Sequence, residues 1–267
     1  MSDYKDTFKS TAVYYSRYRD TYPDEFFRLL KERFWLSADD RALDLGCGTG
    51  QIAIPLAALT GEVIAMDPEP EMIAEGEKQA EVAGVKNISW LNGGSDDLEA
   101  IPEELRSFKL VTIGSAFHWM DREIVLRDLY EVIQNGGGIV IAGNSSIATE
   151  TGTEWQDAVK SLITRYLGER RRAGSGYFEV EPRRHEDFLQ ESRFSDVEII
   201  TIFWARSFSV EELAGYYFST SMVNPSILGD RTELFERELK QVLNDYFPSG
   251  KIEYEGKTEV IFGRKDN

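Results

Sequence analysis

The sequence is poor in cysteine and histidine. Its 267 residues include one cysteine, Cys47, and two histidines, His118 and His185. A single cysteine cannot form an internal disulfide, which is typical of proteins in reducing compartments, and we therefore expect a cytoplasmic protein. These three side chains are too few for a structural zinc site with tetrahedral nitrogen and sulfur ligands, so no metal site is predicted.

Long apolar runs are also missing. No stretch of the sequence approaches the roughly twenty consecutive apolar residues of a transmembrane helix. The first six residues, Met-Ser-Asp-Tyr-Lys-Asp, are polar and lack the apolar stretch of a signal peptide. We predict neither a membrane span nor a membrane partner.

Positive charge is scarce, since 30 lysines and arginines face 47 aspartates and glutamates, for a net charge of -17. This acidity argues against a non-specific nucleic-acid binder, because phosphate contacts need clustered cations, and we predict no nucleic-acid partner. One cluster of basic residues stands out in this acidic sequence. It consists of Arg170, Arg171, Arg172, Arg183 and Arg184. Two interpretations stay open: a solvated loop, or a site that attracts an anionic substrate, since guanidinium groups match carboxylate geometry.

The first half of the chain alternates short apolar strands with helical segments. Strands are predicted at 41–45, 62–66, 87–91, 109–114 and 139–142, and helices at 24–34, 51–59, 69–82 and 122–133. Such alternation predicts a parallel sheet covered by helices on both faces. The expected fold is α/β, a Rossmann-like doubly wound sheet of about seven strands, mostly parallel with an antiparallel edge strand.

Helical patterns dominate the second half. Helices are predicted at 154–167, 185–191, 210–217 and 232–246, strands at 197–204 and 259–262, and a Gly/Arg-rich loop at 168–182. Two late strands that bracket helices predict an edge hairpin with a helical cap inserted between its strands. Because no linker is visible, we expect a single domain over 1–267, with lid helices in 1–35, a core in 36–145, and a cap with closing strands in 146–267.

The densest motif follows the first predicted strand and reads Leu-Asp-Leu-Gly-Cys-Gly-Thr-Gly-Gln over residues 43–51. Glycines allow a tight turn and a close approach of the backbone to a ligand, and the next helix offers free N–H groups. A dinucleotide-binding loop would have Gly or Ala where this chain has Gln51, so the pattern disfavours a nicotinamide or flavin site. A strand-to-helix turn without a ligand is the alternative interpretation.

Asp67 ends the second predicted strand, 21 residues after Gly46. In folds of this kind an acidic residue at this place binds a ribose, and its carboxylate accepts protons from both vicinal hydroxyls. The same residue, which precedes Pro68, is also expected to cap the next helix.

Two more segments follow later strands. Gly-Gly-Ser-Asp-Asp-Leu at 93–98 is by itself a polar turn, whereas Gly-Ser-Ala-Phe-His-Trp-Met-Asp at 114–121 lies where open α/β sheets bind ligands. His118 is a candidate general base because imidazole titrates near neutral pH; packing against a ligand or a bond to a carbonyl is the alternative. His185 has no motif context, and we expect it at the surface.

These segments together resemble the class I S-adenosylmethionine-dependent methyltransferases. Residues 43–51 resemble their motif I, an acidic residue followed by Gly-x-Gly-x-Gly. The string Ala-Phe-His-Trp at 116–119 and the string Tyr-Tyr-Ser-Arg-Tyr-Arg-Asp-Thr-Tyr-Pro at 14–23 resemble the type 11, trans-aconitate methyltransferase-like subgroup, although Asp20 stands where that subgroup has proline. The resemblance covers roughly residues 13–145.

The resemblance implies S-adenosyl-L-methionine as the cofactor and S-adenosyl-L-homocysteine as its product, with the cofactor in the core and the acceptor shaped by the cap. His118 is the implied catalytic candidate. The implied cofactor-binding residues come from five segments: Tyr18, Arg19, Asp44, Gly46, Cys47, Gly48, Gln51, Asp67, Pro68, Met72, Ser95, Asp96, Ser115, Phe117 and Trp119.

The expected reaction is in-line transfer of a sulfonium methyl group to an oxygen of a small carboxylate or hydroxylated acceptor, which can be anionic. A carboxylate acceptor needs no base. Other interpretations are N- or C-methylation of a different metabolite, a non-catalytic S-adenosylmethionine-binding subunit that regulates a partner, and a nucleotide-dependent oxidoreductase, which Gln51 disfavours. The acidity also disfavours an RNA acceptor. We expect a monomer or a homodimer.

Overall fold

The strands of the first half of the chain lie side by side in one parallel sheet. The computed structural model describes residues 7–173, 176–179 and 181–266. Its first five strands are parallel neighbours: β1 (Arg41–Leu45), β2 (Glu62–Asp67), β3 (Ile88–Asn92), β4 (Phe108–Gly114) and β5 (Ile133–Asn144).

Two long strands from the second half complete this sheet. Two short strands, β6 (Arg172–Ala173) and β7 (Gly176–Tyr177), precede β8 (Ser195–Ser209) and β9 (Lys251–Arg264). The strand order is β3-β2-β1-β4-β5-β9-β8, and β9 runs antiparallel to β5, with Val140 opposite Phe262. The predicted Rossmann-like sheet of seven mostly parallel strands is confirmed, with the antiparallel strand next to the edge.

The helices connect these strands. They are α1 (Ala12–Tyr18), α2 (Asp24–Phe34), α3 (Ala53–Leu56), α4 (Pro70–Ala83), α5 (Arg122–Val132), α6 (Glu154–Leu167), α7 (His185–Gln190), α8 (Val210–Phe218), α9 (Pro225–Leu228) and α10 (Thr232–Tyr246). Within the described part of the chain, no helix combines the length and apolarity that crossing a membrane requires.

Side chains of the central strands alternate between two buried clusters. Ala42 and Val63 lie in one cluster, while the residues that follow them, Leu43 and Ile64, lie in the other. Successive side chains of a strand point to opposite faces, so both faces of this sheet are buried. Each fully buried leucine or isoleucine contributes roughly 1.5–3 kcal/mol, which fixes the register that brings the carboxyl ends of β1, β2 and β4 to one edge.

The chain divides into two units. The sheet unit comprises Thr21–Asn144, Glu181–Ile202 and Lys257–Asn267, and the helical unit comprises Met1–Asp20, Ser145–Val180 and Phe203–Gly256. The predicted single domain over 1–267 stays a prediction, and residues 1–6 of its predicted lid lie outside the described residues.

The helical unit has its own apolar core, built from α6, α8 and α10. Tyr217, Phe218, Phe235 and Leu239 are among its fully buried side chains. The helices 154–167 and 232–246 have the bounds that the sequence predicts. Thr153 explains one of these bounds, because its hydroxyl accepts a hydrogen bond from the Gln156 N–H and caps α6.

Several elements differ from their predicted bounds, among them β5, which covers Ile133–Asn144 instead of 139–142. Strands β8 and β9 extend beyond the predicted 197–204 and 259–262, because alternating exposed and buried residues add no continuous apolar run. Helix α3 covers four residues instead of 51–59, since Gly50 at φ +90° begins a turn there. The predicted loop at 168–182, of which residues 174, 175 and 180 lie outside the described residues, contains the antiparallel pair of β6 and β7.

Candidate cofactor site

The glycine loop after β1 bends because three of its residues adopt left-handed backbone angles. Gly46, Gly48 and Gly50 have φ of +72°, +54° and +90°, a region that side chains with a Cβ rarely adopt. The Gly46 N–H also donates to the Met66 carbonyl at 2.7 Å. A Cβ on Gly46 would lie 2.5 Å from the Cβ of Ala116, so the loop passes too close to the segment after β4 for any larger residue.

Asp67, at the end of β2, is held against this loop. Its Oδ2 accepts the Gly48 N–H at 2.9 Å, and its Oδ1 accepts the Glu69 N–H at 2.9 Å. Burial raises the pKa of Asp67 to about 6, although these two hydrogen bonds oppose the shift. The expectation that Asp67 caps the following helix is wrong, because the N-cap of α4 is Glu69, followed by Pro70.

Asp44 is the most deeply buried carboxylate of the site, at 1% exposure. Its Oδ1 accepts the Thr112 hydroxyl at 2.8 Å, whereas its Oδ2, equally inaccessible to solvent, has no hydrogen-bond partner among the described residues. Burial raises the pKa of Asp44 to about 7, although the Thr112 hydroxyl and the nearby Ala53 N–H both oppose the shift. A buried acceptor without a donor is unfavourable, so this oxygen is suited to a ligand that brings a proton donor or a positive charge.

Four other predicted residues lie in the loop or in the segment that follows β2. Cys47 is buried, with its thiol 3.6 Å from the Gly48 carbonyl, and Gln51 donates to the Thr49 hydroxyl at 2.8 Å. Met72 is buried in the first turn of α4, and Pro68 is exposed. Cys47 and Met72 therefore form part of the apolar packing, while Pro68 remains open to solvent.

Ser95 and Asp96 open the short turn at Ser95–Ala100 that follows β3. Ser95 is half-buried and Asp96 is exposed. The carboxylate that closes this turn is Asp97, which accepts the Gly94 N–H at 2.9 Å. Since the Gly93 N–H donates to the Asp67 carbonyl at 3.0 Å, the turn begins beside Asp67.

The segment after β4 contains four predicted residues in different settings. Ser115 is exposed, with φ of +52°, and its Oγ lies 3.4 Å from the Tyr22 hydroxyl. Phe117 is fully buried in an apolar cluster, whereas His118 and Trp119 are half-buried, with ring centroids 4.6 Å apart. Phe117 thus anchors the segment, and the next two side chains remain accessible.

His185 is half-buried, which corrects its expected place at the surface. Its ring lies 6.4 Å from that of His118 with the planes 11° apart, and it meets Phe117 edge-on at 5.2 Å. Burial, followed by the positive charge of Arg122, lowers the pKa of His185 and favours the neutral imidazole. The sequence contains a signal for this burial. His185 lies three residues before Phe188 on a short helix, so both side chains lie on the same helix face, and Phe188 is buried.

Tyr18 and Arg19 lie in the helical unit. The Arg19 guanidinium lies between two aromatic rings, with its Cζ 5.0 Å from the Tyr15 centroid and 5.1 Å from the Tyr216 centroid. It also donates to the Tyr216 hydroxyl at 3.3 Å. Asp20, which stands where the resembling subgroup has proline, accepts a hydrogen bond from Arg206 at 2.8 Å, so an ion pair holds this segment.

Known proteins match this chain in sequence and in fold. Residues 42–137 match a family described as a methyltransferase domain. An uncharacterised methyltransferase of Schizosaccharomyces pombe is 25% identical over 238 residues, which are 89% of this chain and 87% of the relative. The chain is an S-adenosylmethionine-dependent methyltransferase.

Solved structures share the fold of this methyltransferase. A protein described as a type II methyltransferase of Anaeromyxobacter dehalogenans superposes with a TM-score of 0.59 at 20% identity, covering 92% of this chain and 97% of that chain. Phosphoethanolamine N-methyltransferase 2 of Haemonchus contortus, in complex with phosphomonomethylethanolamine and S-adenosylhomocysteine, gives a TM-score of 0.58 at 14% identity and covers 100% of this chain and 61% of that chain.

The cofactor of the methyltransferase is S-adenosylmethionine, and the sheet unit contains groups that fit it. The molecule carries a sulfonium and an ammonium group, which suit the unpaired Oδ2 of Asp44, and a ribose, which suits the fixed carboxylate of Asp67. The loop backbone meets one of these carboxylates directly, through the Gly48 N–H bond to Asp67.

Proposed function

We propose that S-adenosylmethionine binds in the sheet unit on the loop of residues 43–51. The observation that carries this proposal is the buried, unpaired Oδ2 of Asp44 beside a second carboxylate, Asp67, which two backbone N–H groups hold in place. The cofactor, when bound, supplies an electrophilic methyl group on a positively charged sulfur. Asp44 would then hold positive charge, and Asp67 would accept protons from the ribose hydroxyls.

The remaining predicted residues receive roles in the same proposal. Gly46, Cys47, Gly48 and Gln51 supply the loop, and Pro68 and Met72 border the ribose. Ser95 and Asp96 are proposed for the adenine edge, and Ser115, Phe117 and Trp119 for the segment after β4. Tyr18 and Arg19, in the helical unit, are proposed as the lid. The resulting single domain, 1–267, is part of the proposal.

We further propose that the acceptor is a small, anionic or hydroxylated metabolite methylated on oxygen, as in the trans-aconitate methyltransferase-like subgroup. The acidity of the chain supports this proposal, because a net charge of -17 disfavours nucleic acid as an acceptor. The arginines of residues 170–172 support an anion. We propose a cytoplasmic enzyme that acts as a monomer or a homodimer.

His118 has a role that depends on the acceptor. A hydroxyl must lose a proton during methylation, and a half-buried imidazole at the end of β4 can accept it. A carboxylate is already ionised near neutral pH and requires only alignment and exclusion of water. In that case His118 acts with Trp119 as part of the wall of the site.

Thermal unfolding with S-adenosylmethionine, S-adenosylhomocysteine, NAD and FAD tests the cofactor assignment. A ligand at a hundredfold excess over its Kd stabilises the folded state by about 2.7 kcal/mol. We expect the two sulfur compounds to raise Tm, and Asp44→Asn to remove most of that rise. Asp128→Asn, which makes the same change at a half-buried position of α5 in the same unit, should leave it intact. A rise with NAD alone would contradict the proposal.

The acceptor is tested with methyl-labelled cofactor and a panel of carboxylates and alcohols. Methyl esters release methanol in mild base, whereas methyl ethers do not, so the base lability of the product distinguishes the two oxygens. With a hydroxyl acceptor, His118→Gln should lower kcat by about 10²–10⁴-fold. With a carboxylate acceptor, the same variant should change kcat little. Label that resists base and resides on nitrogen or carbon would overturn O-methylation.

A further inference from the structure

The segment that carries three consecutive arginines contains two paired strands, which together with Arg170, Arg171 and Phe178 we call the hairpin. Strands β6 and β7 pair antiparallel, with Arg172 opposite Tyr177 and Ala173 opposite Gly176. Outside the pair, the Phe178 N–H donates to the Arg171 carbonyl at 3.0 Å. These backbone bonds give the arginines fixed positions, in contrast to the solvated loop that is one of the two interpretations of the sequence.

Aromatic rings orient all three guanidinium groups. The Cζ atoms of Arg170 and Arg172 lie 4.1 Å and 5.0 Å from the centroid of Tyr177, and that of Arg171 lies 4.2 Å from the centroid of Phe178. A cation over a ring face is held in place without losing its charge. The hairpin therefore presents three oriented positive charges.

These charges have no counterion among the residues that the structure describes. No carboxylate there lies within 4.0 Å of Arg170, Arg171 or Arg172. Two other arginines of the helical unit do have one, since Arg165 pairs with Glu238 and Arg206 pairs with Asp20. Arg17, Arg231 and Arg237 of the same unit likewise have no ion pair among the described residues, but none of them borders the cavity described next. What is specific to this place is the grouping of three such arginines beside one cavity.

The hairpin borders a cavity of about 230 Å³ in the helical unit. Four cationic side chains line it, the three arginines and Lys160, against two acidic ones, Glu150 and Glu169. Of these two acids, Glu150 already accepts the Tyr254 hydroxyl at 2.7 Å. The volume lies below the roughly 300–1,000 Å³ of pockets for drug-sized ligands, so a small metabolite fits it better than a peptide does.

A fourth arginine, Arg19, adds positive charge near Arg171. Partial desolvation, and after it the positive charge of Arg19, lowers the pKa of Arg171, so these two cations repel each other. The Nε atoms of Arg19 and Arg172 are inaccessible to solvent and have no hydrogen-bond partner within the described residues. Like charges and unpaired buried donors both destabilise a protein until an acceptor with negative charge binds.

We propose that the helical unit binds a small anion with at least two negative charges in this cavity, held chiefly by Arg171 and Arg172. Guanidinium groups donate paired N–H bonds to carboxylate and phosphate oxygens alike, so the ligand carries one of these two groups. The proposal rests on the proposed function and deepens it, because it gives the anionic acceptor a defined binding site and a minimum charge. Binding of the anion by itself requires neither the cofactor nor turnover.

Isothermal titration calorimetry on the full chain tests the proposal without cofactor. Citrate probes the carboxylate class, inorganic phosphate probes the phosphate class, and sodium chloride at equal ionic strength is the reference. We expect one of the two anions to bind with one site per chain. Arg171→Gln and Arg172→Gln should each weaken it about tenfold or more, and Arg171→Lys should weaken it less, because lysine keeps the charge but loses the fork.

Arg237→Gln is the matched control, because Arg237 is an exposed arginine of α10 in the same unit and its loss removes the same charge. Binding in this variant should stay within about twofold of the wild type. Absence of binding by both anions, or an equal loss in Arg237→Gln, would overturn the proposal. The same variants are titrated with S-adenosylmethionine, so failure of the anion site and failure of the cofactor site are measured separately.

Discussion

The two units of the chain hold unpaired charged groups of opposite sign. At the glycine loop the sheet unit buries the carboxylates of Asp44 and Asp67, and one oxygen of Asp44 has no donor among the described residues. The helical unit instead holds Arg19, Arg171 and Arg172 without an acidic partner within the same described residues. A polar atom that is taken out of water without a partner lowers stability, and this applies to Asp44 Oδ2 as well as to the Nε atoms of Arg19 and Arg172. This difference suits the sheet unit to a cationic cofactor and the helical unit to an anionic ligand.

The most disruptive way to alter the sheet unit is to crowd its glycine loop. Gly46→Ala introduces a Cβ at 2.5 Å from Ala116 and places alanine at φ +72°. We expect a loss of about 2–5 kcal/mol in the free energy of unfolding, from backbone strain and overpacking together. Chemical denaturation measures it. The control is Gly84→Ala, with φ +70° and nothing within 4 Å, which should lose only the strain of about 1–2 kcal/mol. Equal losses would contradict the close approach.

The next largest effect concerns the unpaired oxygen. Asp44→Asn removes the negative charge but keeps the shape, and an interaction with a charged group is worth about 1.5–3 kcal/mol. We expect the affinity for S-adenosylmethionine to fall by about ten- to a hundredfold, as measured by calorimetry. Thr112→Val, which removes only the donor to Oδ1, should have a smaller effect. Unchanged affinity in Asp44→Asn would separate this carboxylate from the cofactor.

The pH dependence should distinguish stability from cofactor binding. Burial raises the pKa of Asp44 to about 7 and that of Asp67 to about 6, from 3.8. Between pH 4 and 7 the folded protein therefore holds protons that the unfolded chain has released, and its free energy of unfolding falls as pH rises, by at most roughly 1.4 kcal/mol per pH unit for each group. Affinity for the positively charged cofactor should rise over the same interval.

Denaturation and calorimetry at pH 5.5, 6.5 and 7.5 measure these opposite slopes. In Asp44→Asn both slopes should flatten, since asparagine does not titrate. Identical slopes in the variant and the wild type would assign the pH dependence to other groups.

The smallest expected changes in the free energy of unfolding come from replacing arginines of the helical unit, one that has an ion pair and one that has none. Arg206→Gln leaves the 9%-exposed Asp20 without its partner, and we expect a loss of about 1–3 kcal/mol in the free energy of unfolding. Arg171→Gln removes a repulsion from Arg19, so the ligand-free protein should become more stable, by less than about 1 kcal/mol. Urea denaturation of both variants, without added anions, decides the sign. A loss of stability in Arg171→Gln would mean that Arg171 has an internal partner.

Sequence patterns predicted the sheet unit well because its signals are local. The segments 41–45 and 109–114 are short, mainly apolar stretches that are bounded by polar or glycine residues, and glycines mark the turn between β1 and α3. The helical unit was predicted less completely, since the hairpin of β6 and β7 contains no alternating pattern. In half-exposed strands such as β9, polar residues alternate with apolar ones, so the sequence predicted only the continuous apolar part of each strand.

The candidate site shows the same limit. Asp44 and Asp67 could be placed from the glycine motif and the end of β2, but the orphaned oxygen of Asp44 depends on which donors surround it in three dimensions. The bond between Arg19 and Tyr216 joins residues 197 positions apart, and no periodicity predicts it. Likewise, the rings of His118 and His185 are stacked although the two residues are far apart in the sequence, and no sequence pattern links them.

The single thiol of the chain also gives this protein a natural probe. Cys47 is 5% exposed within the glycine loop, and burial raises its pKa well above the ordinary value. Thiolate is the reactive form toward maleimides and aromatic disulfides, so modification of the folded protein must wait for the loop to open. The labelling rate therefore reports loop opening directly, with no engineered label, and its dependence on nucleoside concentration would give an affinity.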